Sequence, residues 1–480
     1  MHNSFKLGLP SVLLLLAGCA TADPKAALPA VQTALAQRAD VQATWPLTDD
    51  ARASADTATR ELLAHDLTVE SAVQIALLNN RALRATFEDL GLSQAGLAAA
   101  TRLPNPTFSA SVRWPNQAPR GPNAEFALTA PLLESVLLPL RQRAAQDQLV
   151  QVQRRVVHEV LSLVAEVRRT AYEVLARQEI HTRLAVIAEL NAAAADLARR
   201  QFDAGNIPNL ELAQIKTSAQ QTQLDLLQAN AAVRTAREQL TRLLGLAGNQ
   251  TDWRLPGPLP PLPAADPAPD QLESLALGQR LDLAAARAEV ARAERALAIK
   301  RSTRLLPGTV DLGVDTERDS GGGRVTGPRI DLQLPLFDQG QPEVARLSAL
   351  LRQAQDRAEA LAADIGSEVR TARDALAAAR GATEFFQKTL LPERRLILRE
   401  TLLHYNAMQK SPYDLLLAKE QQQTAERMSI EVLRDYWLAR TELERALGGR
   451  LPAPPGAPPA EPPAMKEAPP PAEHPHHSNL

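Results

Sequence analysis

The sequence predicts a mainly α-helical protein with a small β part, built from two tandem copies of one structural unit. One long segment carries a coiled-coil-like apolar pattern, four short segments alternate apolar and polar residues, and matching landmarks recur 203 residues apart. Aromatic residues make up only 3% of the chain, whereas alanine and leucine are abundant. Such a composition favours long helices that pack closely on one another.

The first 19 residues indicate export. Lys6 precedes a short, mostly apolar run over residues 7–16, which is too short to cross a bilayer as a helix. The run leads into Leu-Ala-Gly and then Cys19, the only cysteine, so an intramolecular disulfide is excluded. This string resembles the lipobox of bacterial lipoproteins, which implies that Cys19 is acylated. With Ala20 next, the resemblance favours outer-membrane sorting. The alternative is an ordinary signal peptide that contains a cysteine.

The charges of the chain are nearly balanced, with 53 Lys and Arg against 55 Asp and Glu. Nucleic-acid binders usually carry a basic surplus, so a nucleic-acid partner is not expected. After residue 19 no segment has about 18 uninterrupted apolar residues. If the protein crosses a membrane, it must therefore do so with strands.

Each half of the chain begins with a helix that stops at a proline, over residues 67–103 and 270–306. Two alternating runs follow in each half, and each pair predicts a β-hairpin. The four predicted strands are 107–114, 125–131, 309–316 and 329–335.

A very long helix then follows in each half, over residues 141–204 and 341–406. The apolar residues of the first recur at steps of three and four, the pattern of a coiled-coil seam. At 1.5 Å per residue, 64 residues would span ~95 Å, more than a single globular domain uses. Pro392 should kink the second long helix.

A turn and a return helix complete each half, and here the halves align without a gap. Phe202 matches Tyr405 and Gly245 matches Gly448, each pair 203 residues apart. Such an offset indicates tandem duplication. The predicted organisation is a signal peptide at 1–18, a lipidated extended arm at 19–65, structural repeats at 66–265 and 266–449, and a Pro-rich disordered tail at 450–480.

Four short strands cannot close a membrane barrel, and an open sheet edge in lipid would leave unpaired backbone groups. Strands from several subunits must therefore combine. Three copies would supply twelve strands, within the range of known barrels. The long helices would then continue from the barrel as a tube.

An ordered set of short motifs carries a family resemblance over residues 66–449. It comprises Leu-Thr-Val-Glu-Ser-Ala at 67–72 with Asn79 and Asn80, Leu-Pro-Asn-Pro at 103–106, Pro-Leu-Phe-Asp-Gln-Gly at 335–340, and the hairpin tips at 202–205 and 405–408. The chain resembles the outer-membrane efflux proteins, the TolC-like channels, in the lipoprotein type. Two places depart from the pattern: Met408 stands where the second tip usually has glycine, and residues 132–139 are unusually apolar.

The resemblance implies a homotrimer in the outer membrane of a Gram-negative bacterium. Its twelve-stranded β-barrel would lie in outer-membrane lipid, and its α-helical barrel would extend into the periplasm. The expected function is passive export of small molecules or metal ions, with a periplasmic adaptor and an inner-membrane RND-type transporter as partners. No catalytic constellation and no cofactor motif is evident, so we expect neither an enzyme nor a bound cofactor.

By the same resemblance, Glu211 and Asp414 would line a narrow periplasmic gate that favours cations. Ser411 to Asp414 also reads as a helix capping box, so capping is the alternative role for that acid. Lys410 could tie neighbouring hairpins together, or be a solvated loop lysine. The tips at Ala204, Gly205, Ala407 and Met408 are expected to contact the adaptor.

Two other interpretations remain at this level. The chain could be a periplasmic coiled-coil adaptor or structural lipoprotein without a pore, although an adaptor should have one helical hairpin rather than two. In the tail, His474, His476 and His477 could bind a metal, but no cysteine or carboxylate cluster completes a site.

Overall fold

The structure, a computed structural model, describes residues 23–114, 116, 121–266, 271–304, 309–318 and 322–452. Long helices dominate, and four strands form one sheet, so the predicted fold class is confirmed. Two helices, α1 and α2, precede the first repeat. Their bounds are Leu28–Ala39 and Asp49–Leu63.

The first repeat contains a broken helix, a strand pair and a long helical hairpin. Its elements are α3 (Val69–Asn79), α4 (Arg81–Ala100), β1 (Thr107–Arg113), β2 (Asn123–Pro131), the short α5 (Leu132–Val136), α6 (Leu138–Asp203) and α7 (Asn209–Leu244). The predicted helix over 67–103 is therefore two helices with a break at Asn80. The unusually apolar segment at 132–139 is a short helical turn followed by the start of α6.

The second repeat follows the same order. Its elements are α8 (Leu272–Gln279), α9 (Leu281–Thr303), β3 (Val310–Arg318), β4 (Arg324–Leu332), α10 (Gln341–Phe385), α11 (Leu391–Asn406) and α12 (Pro412–Leu447). The fourth strand begins five residues before the predicted one and ends three residues earlier. Each half thus contains the β-hairpin and the helical hairpin that its sequence predicts.

The sheet joins the two repeats. Its strands run antiparallel in the order β1-β2-β3-β4, and the central pairing places Phe126 opposite Thr316 and Leu128 opposite Val314. The backbone of β1 and that of β4 each pair on one side only within the described residues. Both outer strands therefore present an open edge.

The two faces of the sheet differ in polarity. Because side chains alternate along paired strands, Phe108, Leu128, Val314 and Pro328 share one face, which is mostly apolar and exposed. The opposite face is polar, and its members include Ser109, Ser111, Glu125, Asp311, Asp315, Glu317, Arg329 and Asp331.

The helical hairpins form a layer in the order α7, α6, α12 and then α10 with α11. Helices α6 and α12 are covered on both sides, whereas α7 and α11 lie at the margins. Two apolar clusters form the core. The larger surrounds α3, α4 and α6, and the smaller joins α8, α10 and α12. Among the described residues, no helix is at once long and apolar enough to cross a membrane.

The region before the first repeat differs from the prediction. We expected an extended arm over 19–65, but helices α1 and α2 fill most of its described part. Val31, Leu35 and Trp45 are buried in the larger core, and the indole of Trp45 stacks on Phe87. The expectation of extended chain was wrong because the helices here are stabilised by the packing of these few apolar residues against α4 and α6. The local sequence does not show that packing.

The offset between the repeats is also less regular than predicted. The helix breaks fall at Asn80 and Arg280, which are 200 residues apart, because α9 has 23 residues and α4 has 20. In both repeats this break contacts the left-handed glycine that ends the return helix, Gly245 or Gly448. The three extra residues in α9 are taken up before the strands begin.

Pro392 coincides with an irregularity in the second hairpin. Residues Phe386–Leu390 form a π-helical segment, and Pro392 lies at the start of α11, where its missing N–H is tolerated. A π turn therefore lies directly before the proline at which the sequence predicts a kink. No such segment interrupts the 66 residues of α6.

Candidate functional site

The tip of the first helical hairpin is a tight turn centred on Gly205. The backbone N–H of Gly205 donates to the carbonyl of Phe202, and that of Asn206 to the carbonyl of Gln201. This is a Schellman ending, which requires one residue with positive φ. Gly205 supplies it with φ of 74°, a conformation that costs glycine no steric strain.

The second tip has the same backbone with a different residue. Met408 donates to the carbonyl of Tyr405, and Gln409 to that of His404. Met408 adopts φ of 58°, which is unfavourable for a residue with a side chain, and that side chain is 95% exposed. The missing glycine thus leaves the turn type unchanged and places an apolar side chain at the tip.

Asp414 is held by the start of its own helix. Its carboxylate accepts from the backbone N–H and the hydroxyl of Ser411, both at 2.9 Å, while Ser411 Oγ accepts from the Asp414 N–H at 3.2 Å. The predicted capping box is confirmed. The backbone hydrogen bond from Ser411 is the main cause that lowers the pKa of Asp414, with the Ser411 hydroxyl and Lys410 acting in the same direction.

Glu211 occupies the same helical position in the first hairpin without such a partner. Pro208 stands at the N-cap, and it has neither an N–H nor a side-chain oxygen to complete a capping box. The Glu211 carboxylate makes no hydrogen bond or ion pair with the described part of the chain. It lies near Tyr413, whose pKa is raised by burial and then by the Glu211 charge.

A hydrogen bond connects the two hairpins close to these carboxylates. The Tyr413 hydroxyl donates to Gln201 Oε1 at 2.7 Å, which ties the start of α12 to the end of α6. Lys410 is exposed at the second tip. The turn residues Ala204, Gly205, Ala407 and Met408 are exposed as well. The structure therefore brings the predicted gate and tip residues to one end of the helical layer.

The sequence did not predict one contact near the tips. Tyr413 and Gln201 are 212 residues apart, and nothing in their local patterns signals the hydrogen bond between them. The only available hint was the alignment of the two tips, which places both near the same turn. Cys19 and the tail histidines lie outside the described residues.

Comparison with known proteins gives a consistent set of relatives. Residues 72–246 match the family model described as outer membrane efflux protein. The cobalt-zinc-cadmium resistance protein CzcC of Cupriavidus metallidurans is 26% identical over 393 residues, covering 80% of this chain and 91% of the relative. Protein CyaE of Bordetella pertussis is 28% identical over 343 residues, covering 64% of this chain and 70% of the relative.

The fold has equally extensive matches among solved structures. The Campylobacter jejuni CmeC outer membrane channel superposes with a TM-score of 0.69 at 16% sequence identity. The match covers 86% of this chain and 90% of that channel. The similarity extends over both repeats, because a single repeat could not account for that coverage.

Proposed function

We propose that this chain is an outer membrane efflux protein and that three copies of it form the exit duct of a tripartite efflux pump. The observation that carries the proposal is that a single subunit has open margins in both of its layers. The sheet ends in the unpaired edges of β1 and β4, and the helical layer ends in α7 and α11. Copies of the same subunit can close both layers at once.

The sheet supplies the first part of this argument. Unpaired backbone groups at the edge of a sheet are costly in lipid, so the β1 edge of one subunit must pair with the β4 edge of the next. Three copies would give a closed barrel of twelve strands. The apolar face, with Phe108, Leu128 and Val314 exposed by 66%, 52% and 56%, would contact lipid. The polar face would then line the water-filled interior.

The helical layer supplies the second part. Its marginal helices carry large apolar side chains that no other described element covers, among them Leu210, Leu224 and Leu227 on α7, and Leu396, Ile397 and Leu403 on α11. Contiguous exposed apolar side chains usually mark an interface. Pairing α7 of one subunit with α11 of its neighbour would bury both stripes and produce a tube.

The arrangement at the tips supports a role at the periplasmic entrance. We assign Glu211, Asp414 and Lys410 to the mouth of the tube, where three copies of each carboxylate would focus negative potential. Because the Asp414 carboxylate is already engaged by Ser411, Glu211 is the freer of the two acids. The exposed tips at Ala204, Gly205, Ala407 and Met408 would contact the periplasmic adaptor, and an RND-type transporter would supply the energy.

The proposed cargo is cationic. The polar face of the sheet carries Glu125, Asp311, Asp315, Glu317 and Asp331 against Arg113 and Arg329, so its net charge is negative. A negative lining raises the local concentration of cations. The relative CzcC is named for cobalt, zinc and cadmium resistance, which agrees with divalent cations as one class of cargo.

We also propose that acylated Cys19 tethers the subunit to the outer membrane and that residues 66–265 and 266–449 act as its two repeats. From Cys19 to Pro24, five residues can span at most about 17 Å. Pro24 begins a helical turn that packs near Gly91 on α4, the helix that leads to β1. The lipid then acts as a secondary tether, since the strands themselves would hold the trimer in the membrane.

A cross-linking experiment tests the trimer. Leu210 and Leu403 each lie five residues from the positive-φ residue of their own tip and are 69% and 57% exposed. The double variant Leu210→Cys/Leu403→Cys should form covalent dimers and trimers on oxidation, whereas each single variant should stay monomeric on a denaturing gel. Cross-links within one chain only, or a monomer in detergent, would contradict the assembly.

Conductance in planar bilayers tests the pore and its gate. The wild-type trimer should conduct ions, and Glu211→Ala/Asp414→Ala should raise single-channel conductance and abolish block by divalent cations. Glu211→Ala alone should produce most of the change. Asp56→Ala, which removes an exposed acid on α2, serves as the control. A protein that does not conduct would instead support the adaptor-like alternative.

A further inference from the structure

A small cavity lies where the region before the first repeat meets the end of the second. It has a volume of about 40 Å³ and is bounded by α1, α6 and the end of α12. Its walls are partly apolar, with Leu161, Val164 and Ala165 from α6. The polar side chains around it are Arg38, His158, Ser162, Arg168, Glu444, Arg445 and Arg450.

Two buried donors on this cavity lack partners. The Nε atoms of Arg38 and Arg168 are both buried, and neither has a hydrogen-bond partner in the described part of the chain. The terminal nitrogens of Arg168 are engaged, with Glu70 at 3.1 Å and Glu444 at 3.5 Å. Arg38 donates only a long hydrogen bond of 3.4 Å to the carbonyl of Ala34. Buried donors without partners are rare in folded proteins and usually indicate an unseen acceptor.

The electrostatic balance of the walls points to a negative occupant. Four arginines line the cavity, and Glu444 is the only acidic residue among the lining side chains. Arg168, Arg445 and Arg450 are each paired with a carboxylate, whereas Arg38 has no such partner within the described part of the chain. Glu444 itself is contacted by Arg168 at 3.5 Å and by Arg440 at 3.7 Å. Ser162 and His158 make no hydrogen bonds with the described residues, so both can donate into the cavity.

We propose that this cavity binds one small inorganic anion of halide size, held by the Nε–H groups of Arg38 and Arg168 and by the Ser162 hydroxyl. The space would accommodate two or three waters or a single monatomic anion, since one water needs roughly 10–15 Å³. An anion can accept from these donors at once, and it supplies the negative charge that Arg38 lacks as a partner.

The position of the site suggests what the anion does. Arg450 N–H donates to the carbonyl of Arg38 at 2.8 Å, and the Arg450 side chain pairs with Asp40 at 2.9 Å. The cavity therefore lies against the contact that fastens α1 to the end of α12. A bound anion would strengthen that contact and hold the region before the first repeat on the helical layer.

Crystals of the full-length protein in detergent, soaked in sodium bromide, give the direct test. An anomalous difference peak between Arg38 and Arg168 is expected, because bromide should replace the native halide. Water density without an anomalous peak in this cavity would overturn the proposal. This outcome is independent of whether the trimer conducts.

Thermal unfolding of the same preparation gives a second readout. At equal ionic strength, the unfolding midpoint should be about 2 °C higher in chloride than in gluconate, because only chloride is small enough for the cavity. Arg38→Lys keeps the charge but removes the Nε–H, and it should abolish the difference. Arg52→Lys, on the exposed face of α2, should retain it. A difference that persists in Arg38→Lys and in Ser162→Ala would refute the assignment.

Discussion

The two helical hairpins have the same backbone at their tips and different chemistry. The first uses Gly205 in the left-handed turn, Pro208 before the return helix and an unpaired Glu211. The second uses Met408 in the same turn and the Ser411–Asp414 capping box. The first tip has glycine in the turn, which adopts this conformation without strain. The second instead relies on side-chain hydrogen bonds.

The same contrast appears where each helix break meets its return helix. In the first repeat, the amides of Asn79 and Asn80 donate to the carbonyls of Gly245 and Leu243, each at 2.8 Å. In the second repeat, Arg280 takes this place. It is 6% exposed and donates to Asp282, Glu368 and the carbonyl of Ala446. One junction is neutral and the other is charged, so we expect them to respond differently to substitution and pH.

The largest difference should come from the two junction glycines. A Cβ on Gly245 would lie 2.7 Å from the backbone oxygen of Asn79, whereas one on Gly448 would lie 3.1 Å from the flexible Cγ of Arg280. Both positions have positive φ, which costs alanine about 1–2 kcal/mol. In Gly245→Ala, the clash with the backbone should lower the free energy of unfolding by a further ~1–3 kcal/mol. Gly448→Ala should not show this additional loss. Equal shifts of the unfolding midpoint would contradict this comparison.

Removing the charged junction should have the next largest effect. Arg280→Met leaves Asp282 and Glu368 without their partner, and we expect a loss of about 2–3 kcal/mol in the free energy of unfolding. The loss is below that of a fully buried pair because Glu368 is 40% exposed. Asn80→Ala, the matched change in the first repeat, should cost about 1–2 kcal/mol. Denaturant titration of both variants measures the difference.

Acid should weaken the second junction selectively. Burial opposes the charged form of Asp282, but the hydrogen bonds and charge of Arg280 outweigh it and lower the pKa of Asp282 below its ordinary 3.8. The stabilisation is therefore complete above that value and is lost as the pH falls through the folded-state pKa. Unfolding midpoints measured from pH 7 to pH 3 should drop less steeply in Arg280→Met. A parallel decline in both proteins would exclude this cause.

The smallest effect should come from exchanging the caps at the tips. Ser411→Ala should destabilise the second hairpin by about 1 kcal/mol, because it removes a side-chain acceptor at the N-cap. Pro208→Ser should stabilise the first hairpin by ~0.5–1 kcal/mol, since it introduces the cap that this tip lacks. Hydrogen exchange at the first turns of α7 and α12 would show opposite changes in protection. Changes of the same sign in the two hairpins would contradict this role of the N-cap residues.

Local patterns were enough to predict most elements of the chain. The seam of α6 predicted a long helix, the alternating runs predicted four strands, and Ser411 to Asp414 predicted the cap, all confirmed by the structure. The family resemblance and the expected exit-duct function also rested on ordered motifs. These features depend on residues within a few turns of one another, where periodicity and turn chemistry dominate.

Other features depended on partners far away in the sequence. Helix α1 was missed because its few apolar residues pack against α6, far along the chain, whereas α2 packs against the neighbouring α3. Three kinds of contact join segments more than 160 residues apart. They are the pairing of β2 with β3, the hydrogen bonds of Asn80 and Arg280 to the ends of the return helices, and the Tyr413–Gln201 hydrogen bond.

By itself, the sequence determined the duplicated plan of long helices, paired strands and two turned tips. Only the tertiary structure decided which acid at the tips is free, which junction is charged, and where buried arginines face a cavity. The physical reason is that periodicity and capping are local energies, whereas ion pairing and burial arise only when distant segments share one space.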